Sequence, residues 1–415
     1  MSGAEGQKLD LSWNMKNSTT SVIESSFRTY YGKLFAALFS QFGAAYVNEI
    51  EDAVQNAFYK ALKTWKPNQI PIQQENWLYI VAKNDLLNQL RKRARTAAPT
   101  SFIMEETSMA LQEDLRLKTI LLLSKSKKVT AKVKVLFILK NIFGLHVKEI
   151  SESTLLSQDA VYKSISRAKS SLGEELQNSA LDTVFEQATA SEIHLVEEIL
   201  YAVFNIGFDS FSEKVQLIIN EDLCLEALAL GKMLTQEFEQ ISSKNLLSLF
   251  CFHLARIPAK IKNGKLISFF EQQKSDWNSD LLKLGFHYLE QPSVLNKYYL
   301  EALIASKHMT AEDRNIQHWN EIIQLYELLL PFSDSPMLKL NLCYCLSKVN
   351  RTVEAKELLD NIEQVLPKDY PYFSLVKAAI LKEKESAQSL VAQALKHIHQ
   401  DIRRTYILEY LSSDD

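Results

Sequence analysis

Residues 77–95, WLYIVAKNDLLNQLRKRAR, predict a helix with an apolar side, a polar stripe and a basic end. The stripe steps by four, three and four residues, through Asn84, Asn88, Arg91 and Arg95. Asn side chains can pair with base edges and an arginine-rich helix end can bind phosphates, so the stretch indicates contact with nucleic acid. A solvated basic face is the alternative, which the RKRAR run taken alone favours. The apolar side is expected to comprise Trp77, Ile80, Val81, Leu86, Leu87 and Leu90.

The residues before this helix predict a helical bundle. The stretch 49–65, EIEDAVQNAFYKALKTW, repeats apolar residues at helical spacing, and Pro67 ends it. Residues 21–46 predict another helix with aromatic faces, whereas residues 1–20 are polar and aperiodic and predict a flexible lead-in. One face of the 49–65 helix is expected to hold Ile50, Val54, Ala57, Ala61 and Trp65.

After a predicted linker at 96–114, residues 115–175 are again helical and end in the outline of a helix-turn-helix. In the stretch 146–172, HVKEISESTLLSQDAVYKSISRAKSSL, Ser157 is a good N-cap and Asp159 suits the first turn. The second helix would present a polar, cationic outer face, as a helix that enters a major groove must. An ordinary helical hairpin is the alternative. The inward positions are Val161, Ile165, Ala168 and Leu172, and the outward ones are Gln158, Tyr162, Lys163, Ser166, Arg167 and Ser170.

The remainder, residues 185–415, predicts successive amphipathic helices with short breaks at Gly and Pro residues, Gly207 among them, and no strand. Its segment 335–367 has tetratricopeptide-like spacing. Residues 1–175 carry 24 Lys and Arg against 17 Asp and Glu, and the rest carries 23 against 33. Only the first part is therefore expected to approach a polyanion. In the 335–367 segment, Leu338, Leu342 and Cys345 should pack on Ala355, Leu358 and Leu359.

Composition and motifs narrow the class of protein to an all-α, soluble and cytoplasmic one. No apolar run reaches the roughly 18 residues of a membrane span, and the N-terminus lacks the layout of a signal peptide. The four cysteines form no CxxC pair, so we expect no metal site. The nucleotide-binding and hydrolase motifs GxxxxGKS/T, GxGxxG, GxSxG and HExxH are missing. We therefore expect no enzyme activity, no catalytic residue and no cofactor.

The order and separation of these motifs resemble the extracytoplasmic-function sigma factors of bacterial RNA polymerase, over residues 21–172. The stretch 49–65 resembles region 2.2 of that family, and 77–95 is similar to regions 2.3 and 2.4. Residues 135–172 resemble region 4, which contains the helix-turn-helix. The resemblance implies a region 2 helical bundle at 21–95 and a region 4 domain at 115–175.

The resemblance also implies partners and contact residues. Core RNA polymerase would bind region 2 through its β′ clamp helices and region 4 through its β flap, and promoter DNA would bind both regions. A place in the core is the alternative for Trp77 and Tyr79, and it is favoured for Trp77. The implied polymerase-binding residues are Glu51, Asp52, Gln55, Phe58 and Tyr59. The implied −10 contacts are Trp77, Tyr79, Asn84, Asn88, Arg91 and Arg93, and the −35 contacts are Gln158, Asp159, Tyr162, Lys163, Ser166 and Arg167.

The C-terminal half is similar to one sigma subgroup that carries a large helical extension. The similar stretches are LYAVFNIGFDS at 200–210, where Ile206 replaces an acidic residue, and 318–342. We expect this extension to control the sigma regions in cis and to bind a protein or peptide on its stacked helices. Two alternatives are a helix-turn-helix regulator that does not replace sigma, and an interaction scaffold built on the repeats.

Overall fold

The computed structural model describes residues 4–66, 69–96, 113–154, 156–177, 179–209, 218–366, 370–381 and 384–413. Of residues 4–19, 94–96, 384, 385 and 410–413 it describes the backbone only. Two units divide the chain: Met1–Val203 with Leu225–Leu230, and Phe204–Cys224 with Gly231–Asp415. The described residues form helices almost throughout, which confirms the predicted all-α class.

Within its described residues, the first unit contains seven complete helices and parts of two more. A 3₁₀ turn at Ala44–Tyr46 joins the first helix to the second. The complete helices are α1 (Ala4–Phe42), α2 (Val47–Thr64), α3 (Gln74–Thr96), α4 (Arg116–Ser124), α5 (Ala131–Asn141), α6 (Val147–Thr154) and α7 (Gln158–Glu175), and the partial ones are α8 (Ala190–Phe208) and α9 (Glu221–Phe238).

Helix α2 buries the face that its apolar spacing predicts, whereas α3 fully buries only Leu86 and Leu90 of its predicted apolar residues. All five predicted positions of α2, from Ile50 to Trp65, are buried. On α3 the prediction for Ile80 is wrong, because its side chain is 57% exposed. At about 100° per residue, Ile80 points away from its neighbours at 78 and 82. The buried face of α3 is Leu78, Ala82, Leu86 and Leu90.

Helix α1 extends further toward the N-terminus than its sequence predicts. It begins at Ala4, inside the predicted flexible lead-in, whereas the aromatic pattern indicated a start near residue 21. Extending a formed helix adds one hydrogen bond per residue, so polar residues can continue a helix that packing has nucleated. Residues 1–3 and most of the predicted linker, 97–112, lie outside the described residues.

The second unit continues with ten helices in its described residues. The predicted helix pair is present: the Cys343 thiol lies 3.5 Å from the Ala355 carbonyl oxygen, and all six predicted packing residues belong to one apolar cluster. Pro367, the predicted end of that segment, lies outside the described residues. The helices are α10 (Ile241–Ala255), α11 (Ile257–Lys260), α12 (Ser279–Tyr288), α13 (Lys297–Thr310), α14 (Ile316–Leu329), α15 (Pro336–Lys348), α16 (Thr352–Glu363), α17 (Pro371–Leu381), α18 (Lys384–Lys396) and α19 (Asp401–Ser413).

Two details of this unit correct the sequence predictions. A short antiparallel hairpin joins β1 (Ile261–Lys262) to β2 (Lys265–Leu266), where no strand was expected. Asn263 and Gly264 turn it with φ angles of 53° and 75°, the left-handed conformations of a two-residue hairpin turn. Gly207 is no break, because α8 continues to residue 208. A Cβ there would lie 2.9 Å from the Asn220 carbonyl oxygen, so close packing is what requires the glycine.

Candidate nucleic-acid and polymerase interface

The polar stripe of α3 faces solvent. Asn84, Asn88 and Arg91 are exposed on the side opposite the buried face of that helix. Arg93 is also exposed and forms an ion pair with Glu49 at the start of α2. The side chain of Arg95 lies outside the described residues. The amide groups of Asn84 and Asn88 and the guanidinium group of Arg91 can therefore reach a nucleic acid without displacing protein.

The two aromatic residues predicted beside this stripe are partly buried. Trp77 packs edge to face on Trp65 with 5.4 Å between the ring centroids, which favours its alternative place in the core. The Tyr79 hydroxyl donates a hydrogen bond to Gln41 Oε1 at 2.9 Å. In this conformation neither ring offers a full face for base stacking.

Helix α7 has the amphipathic form that its sequence predicts. Ser157 caps its N-terminus, where the side-chain oxygen accepts a hydrogen bond from the Ala160 amide at 3.2 Å. Together with α6, α7 forms two consecutive helices whose second member presents a polar face to solvent. All four predicted inward residues, from Val161 to Leu172, are buried. The exposed residues are Gln158, Asp159, Tyr162, Lys163, Ser166 and Arg167.

The predicted polymerase-binding residues of α2 divide into an exposed set and a buried set. Asp52, Gln55 and Tyr59 are exposed, and the Tyr59 ring is 55% exposed. Phe58 is only 4% exposed, with its ring 5.0 Å from that of Phe27. Phe58 is therefore a core residue here, not a surface contact. Glu51 is also buried, at 7% exposure.

Two lysines from the predicted region 4 explain how a carboxylate is tolerated at Glu51. Lys169 of α7 forms a close ion pair with Glu51, and Lys140 of α5 lies 3.7 Å away. Gln55 adds a hydrogen bond of 3.1 Å to the same carboxylate. A buried charge requires such partners, because leaving it unpaired costs several kcal/mol, about 3–5 in measured cases. Nothing local in the sequence indicates which lysines these are.

A second buried ion network joins α4 to the segment Leu225–Leu230. Arg116 is only 4% exposed. Its guanidinium binds Asp114 at 2.7 Å and Glu226 at 3.2 Å. For Asp114, burial raises the pKa, but the hydrogen bonds and charge of Arg116 outweigh it and hold the pKa below its usual range. For Glu226, burial dominates over Arg116 and raises the pKa to about 7.

The raised pKa of Glu226 predicts that this residue lowers the free energy of unfolding at neutral and higher pH. The folded protein holds the Glu226 proton more tightly than the unfolded chain, whose pKa is near 4.5. The free energy of unfolding is therefore unaffected by Glu226 below pH 4.5, and falls as the pH rises through 7. Glu226→Gln, which cannot ionise, should gain up to about 3 kcal/mol relative to the wild type between these limits. Urea unfolding at pH 5 and pH 8 measures this, and an equal difference at both pH values would contradict it.

Comparison with known proteins adds the following findings. Residues 27–96 match the family model of sigma-70 region 2, and residues 192–293 match a family of unknown function, DUF6596. An uncharacterized protein of Rhizobium meliloti (strain 1021) is 25% identical over 352 residues, covering 80% of this chain and 81% of that protein. No solved structure gives a significant match.

The region 2 match supports a sigma-70 family sigma factor with a role in promoter-directed transcription initiation. It implies binding to core RNA polymerase and to promoter DNA. The match includes both α2 and α3, and therefore all eleven residues predicted to contact polymerase or the −10 element. Among the helices that the structure describes, none is both long enough and apolar enough to cross a membrane.

Proposed function

We propose that this protein is a sigma factor of the extracytoplasmic-function type that binds core RNA polymerase and directs it to specific promoters. The observation that carries the proposal is the exposed stripe Asn84, Asn88 and Arg91, which lies inside the region 2 match. Amides and guanidinium groups on one helix face suit the recognition of bases and phosphates. In this function the polymerase makes the phosphodiester bonds, and the sigma factor positions it.

Each exposed face has a separate role in the proposal. Asp52, Gln55 and Tyr59 of α2 bind the β′ clamp helices, and Glu51 joins them when it is exposed. The stripe on α3 contacts and opens the −10 element. The outer face of α7 enters the major groove of the −35 element, where Gln158, Lys163 and Arg167 lead the contacts.

Arg167→Ala tests the proposed reading of the −35 element. If the Arg167 guanidinium binds a base edge, its loss should weaken binding to a matching duplex by about 1–3 kcal/mol. Fluorescence anisotropy with matched and scrambled −35 duplexes measures this. The control is Ser170→Ala, an uncharged change on the same exposed face. An equal loss on both duplexes would show that Arg167 contacts only phosphates.

The C-terminal extension has a proposed role in controlling the sigma regions in cis. The ion pair from Glu226 to Arg116 supports this, since it joins a residue of α9 to the first described helix of region 4. A truncation after residue 238 tests the role while retaining Leu225–Leu230, which belongs to the first unit. Promoter output should change in cells and in purified transcription, with thermal unfolding as the check on folding. Unchanged output in both would contradict cis control.

Two other functions remain as alternatives to the sigma proposal, a regulator that acts through α6 and α7 alone and a scaffold. The region 2 match favours sigma over both, because neither needs a polymerase-binding helix. Mapping transcription start sites after induced expression distinguishes them. A shared pair of upstream elements at new start sites supports the sigma function, and scattered or unchanged start sites contradict it.

A further inference from the structure

We infer that the C-terminal extension binds a small dianion, inorganic phosphate or a dicarboxylate, through the guanidinium groups of Arg256 and Arg314. We define the arginine site as these two side chains together with Phe269 and Phe270, the rings over which they lie. All four residues belong to the second unit. The inference goes beyond the proposed sigma function, because it assigns to the extension a ligand whose binding can be measured without polymerase.

The two arginines of the site lie against one aromatic ring. The guanidinium carbon of Arg256 is 3.8 Å from the Phe269 ring centroid, and that of Arg314 is 5.9 Å from the same centroid. Arg314 also lies 4.7 Å from the centroid of Phe270. Each cation gains from the ring faces, but the two like charges repel each other across a partly buried site. A bound anion would remove this repulsion.

No carboxylate of the protein neutralises the site. Glu271 and Asp313 neighbour it in the sequence, but both are exposed, and in the described part of the chain neither forms an ion pair with the two arginines. Other carboxylates of the surrounding segments pair elsewhere. Asp276 binds a lysine of the β-hairpin at 2.6 Å, and Glu321 binds a lysine of α13 at 2.5 Å. The positive charge of the site is therefore uncompensated.

Other buried arginines of the chain have a carboxylate beside them. Arg116 is 4% exposed and binds Asp114 at 2.7 Å. Arg403 is 6% exposed and binds Asp209, also at 2.7 Å. The two arginines of the site are partly buried without such a partner. Because burial disfavours an unpaired charge, the missing counter-charge points to a ligand that supplies it.

Most hydrogen-bond donors of the two guanidinium groups have no partner among the described residues. A guanidinium has five N–H donors. Arg256 uses one, from Nε to Gln272 Oε1 at 3.4 Å, and Arg314 uses one, to the Phe270 carbonyl oxygen at 3.1 Å. The Nε of Arg314 is buried and has no hydrogen-bond partner. An oxyanion bound in the fork geometry, by Nε and a terminal nitrogen, would satisfy this buried donor.

The position of Arg314 in the fold also favours an anion. It lies immediately before the N-cap residue of α14, at the positive end of the helix dipole, where a cation is disfavoured and an anion is stabilised. Burial lowers the pKa of the adjacent His308 to about 3, and it also lowers the pKa of His318. Both imidazoles are therefore neutral at pH 7 and supply no negative charge.

Isothermal titration calorimetry of the full chain with inorganic phosphate and with succinate tests the site and distinguishes the two ligand groups. We expect at least one of these dianions to bind saturably, with a Kd of roughly 1 mM or below. Acetate, a monoanion, should bind about tenfold more weakly at equal ionic strength. Arg314→Gln should weaken dianion binding by about tenfold or more, because it removes the charged fork.

Two further variants separate the fork from general charge attraction. Lys274→Gln is the matched control, since Lys274 is exposed and its ammonium donates to the Ala311 carbonyl oxygen at 2.8 Å. It removes one charge and one bond to a backbone carbonyl, and should change the affinity by less than about twofold. Arg314→Lys keeps the charge without the fork and should bind about fivefold more weakly. It provides the test if thermal unfolding shows that Arg314→Gln does not fold.

Saturable binding of neither dianion would overturn the inference, as would an unchanged affinity in the Arg314 variants. An equal loss of affinity in Lys274→Gln would also overturn it, because general charge attraction would then explain the binding. The titration contains neither polymerase nor promoter, so these outcomes leave the proposed sigma function to its own experiments.

Discussion

Gly32→Ala is expected to separate α1 from the backbone of Ile142, just after α5, and to lower the free energy of unfolding of the first unit by about 3 kcal/mol or more. The added methyl group would lie 1.7 Å from the carbonyl oxygen of Ile142, and a backbone oxygen cannot rotate away as a side chain can. The gain in helix propensity from Gly to Ala is only about 0.5–1 kcal/mol, so it cannot offset the clash. Denaturant unfolding measures the stability, and hydrogen exchange in α1 and α5 measures the separation.

Gly173→Ala provides a graded control for this prediction. Its Cβ would lie 3.2 Å from the Ala44 carbonyl oxygen, a contact that a shift of a few tenths of an ångström relieves. We expect a much smaller loss of stability than for Gly32→Ala. Wild-type stability and unchanged hydrogen exchange in Gly32→Ala would show that Gly32 does not pack on the Ile142 backbone in solution.

Arg116→Met is expected to lower the free energy of unfolding by about 3–5 kcal/mol at pH 7.5. The substitution preserves most of the side-chain volume but leaves the carboxylates of Asp114 and Glu226 in a poorly solvated site without their cation. Breaking a buried ion pair by removing one partner costs more than the pair itself contributes. Urea unfolding of the full chain measures the loss.

Two further variants show whether the buried network causes this loss. Lys118→Met on the same helix removes a pair with the largely exposed Glu113, and should cost at most about 1 kcal/mol. In the Arg116→Met background, Glu226→Gln should gain more stability than it gains in the wild type, because the carboxylate there has lost its cation. A double variant as unstable as the additive sum would contradict the coupling between Arg116 and Glu226.

Local patterns predict the helices and their exposed faces. The spacing of Ile50, Val54 and Ala57 identifies the buried side of α2, and Ser157 identifies the start of α7, because both depend on residues within a few turns of one helix. The dipeptide Asn263–Gly264 between short apolar segments also predicts a hairpin, and that signal was available in the sequence.

Contacts between distant segments could not be predicted in this way. Glu51 and Lys169 are 118 positions apart in the sequence, and any of the surrounding lysines could have been the partner. The burial of Glu51, the requirement for glycine at Gly32 and the pairing of Arg116 with Glu226 depend on how helices pack, which helical periodicity does not determine. The sequence interpretation therefore missed these contacts and assigned Glu51 only to polymerase.

The measurement that tests the sigma function most directly is run-off transcription with purified core RNA polymerase, the full chain and a promoter identified by start-site mapping. We predict a product of defined length that requires both proteins and disappears when either upstream element is scrambled. Binding of the chain to promoter DNA without any such product, at polymerase concentrations where another sigma factor initiates, would contradict the account.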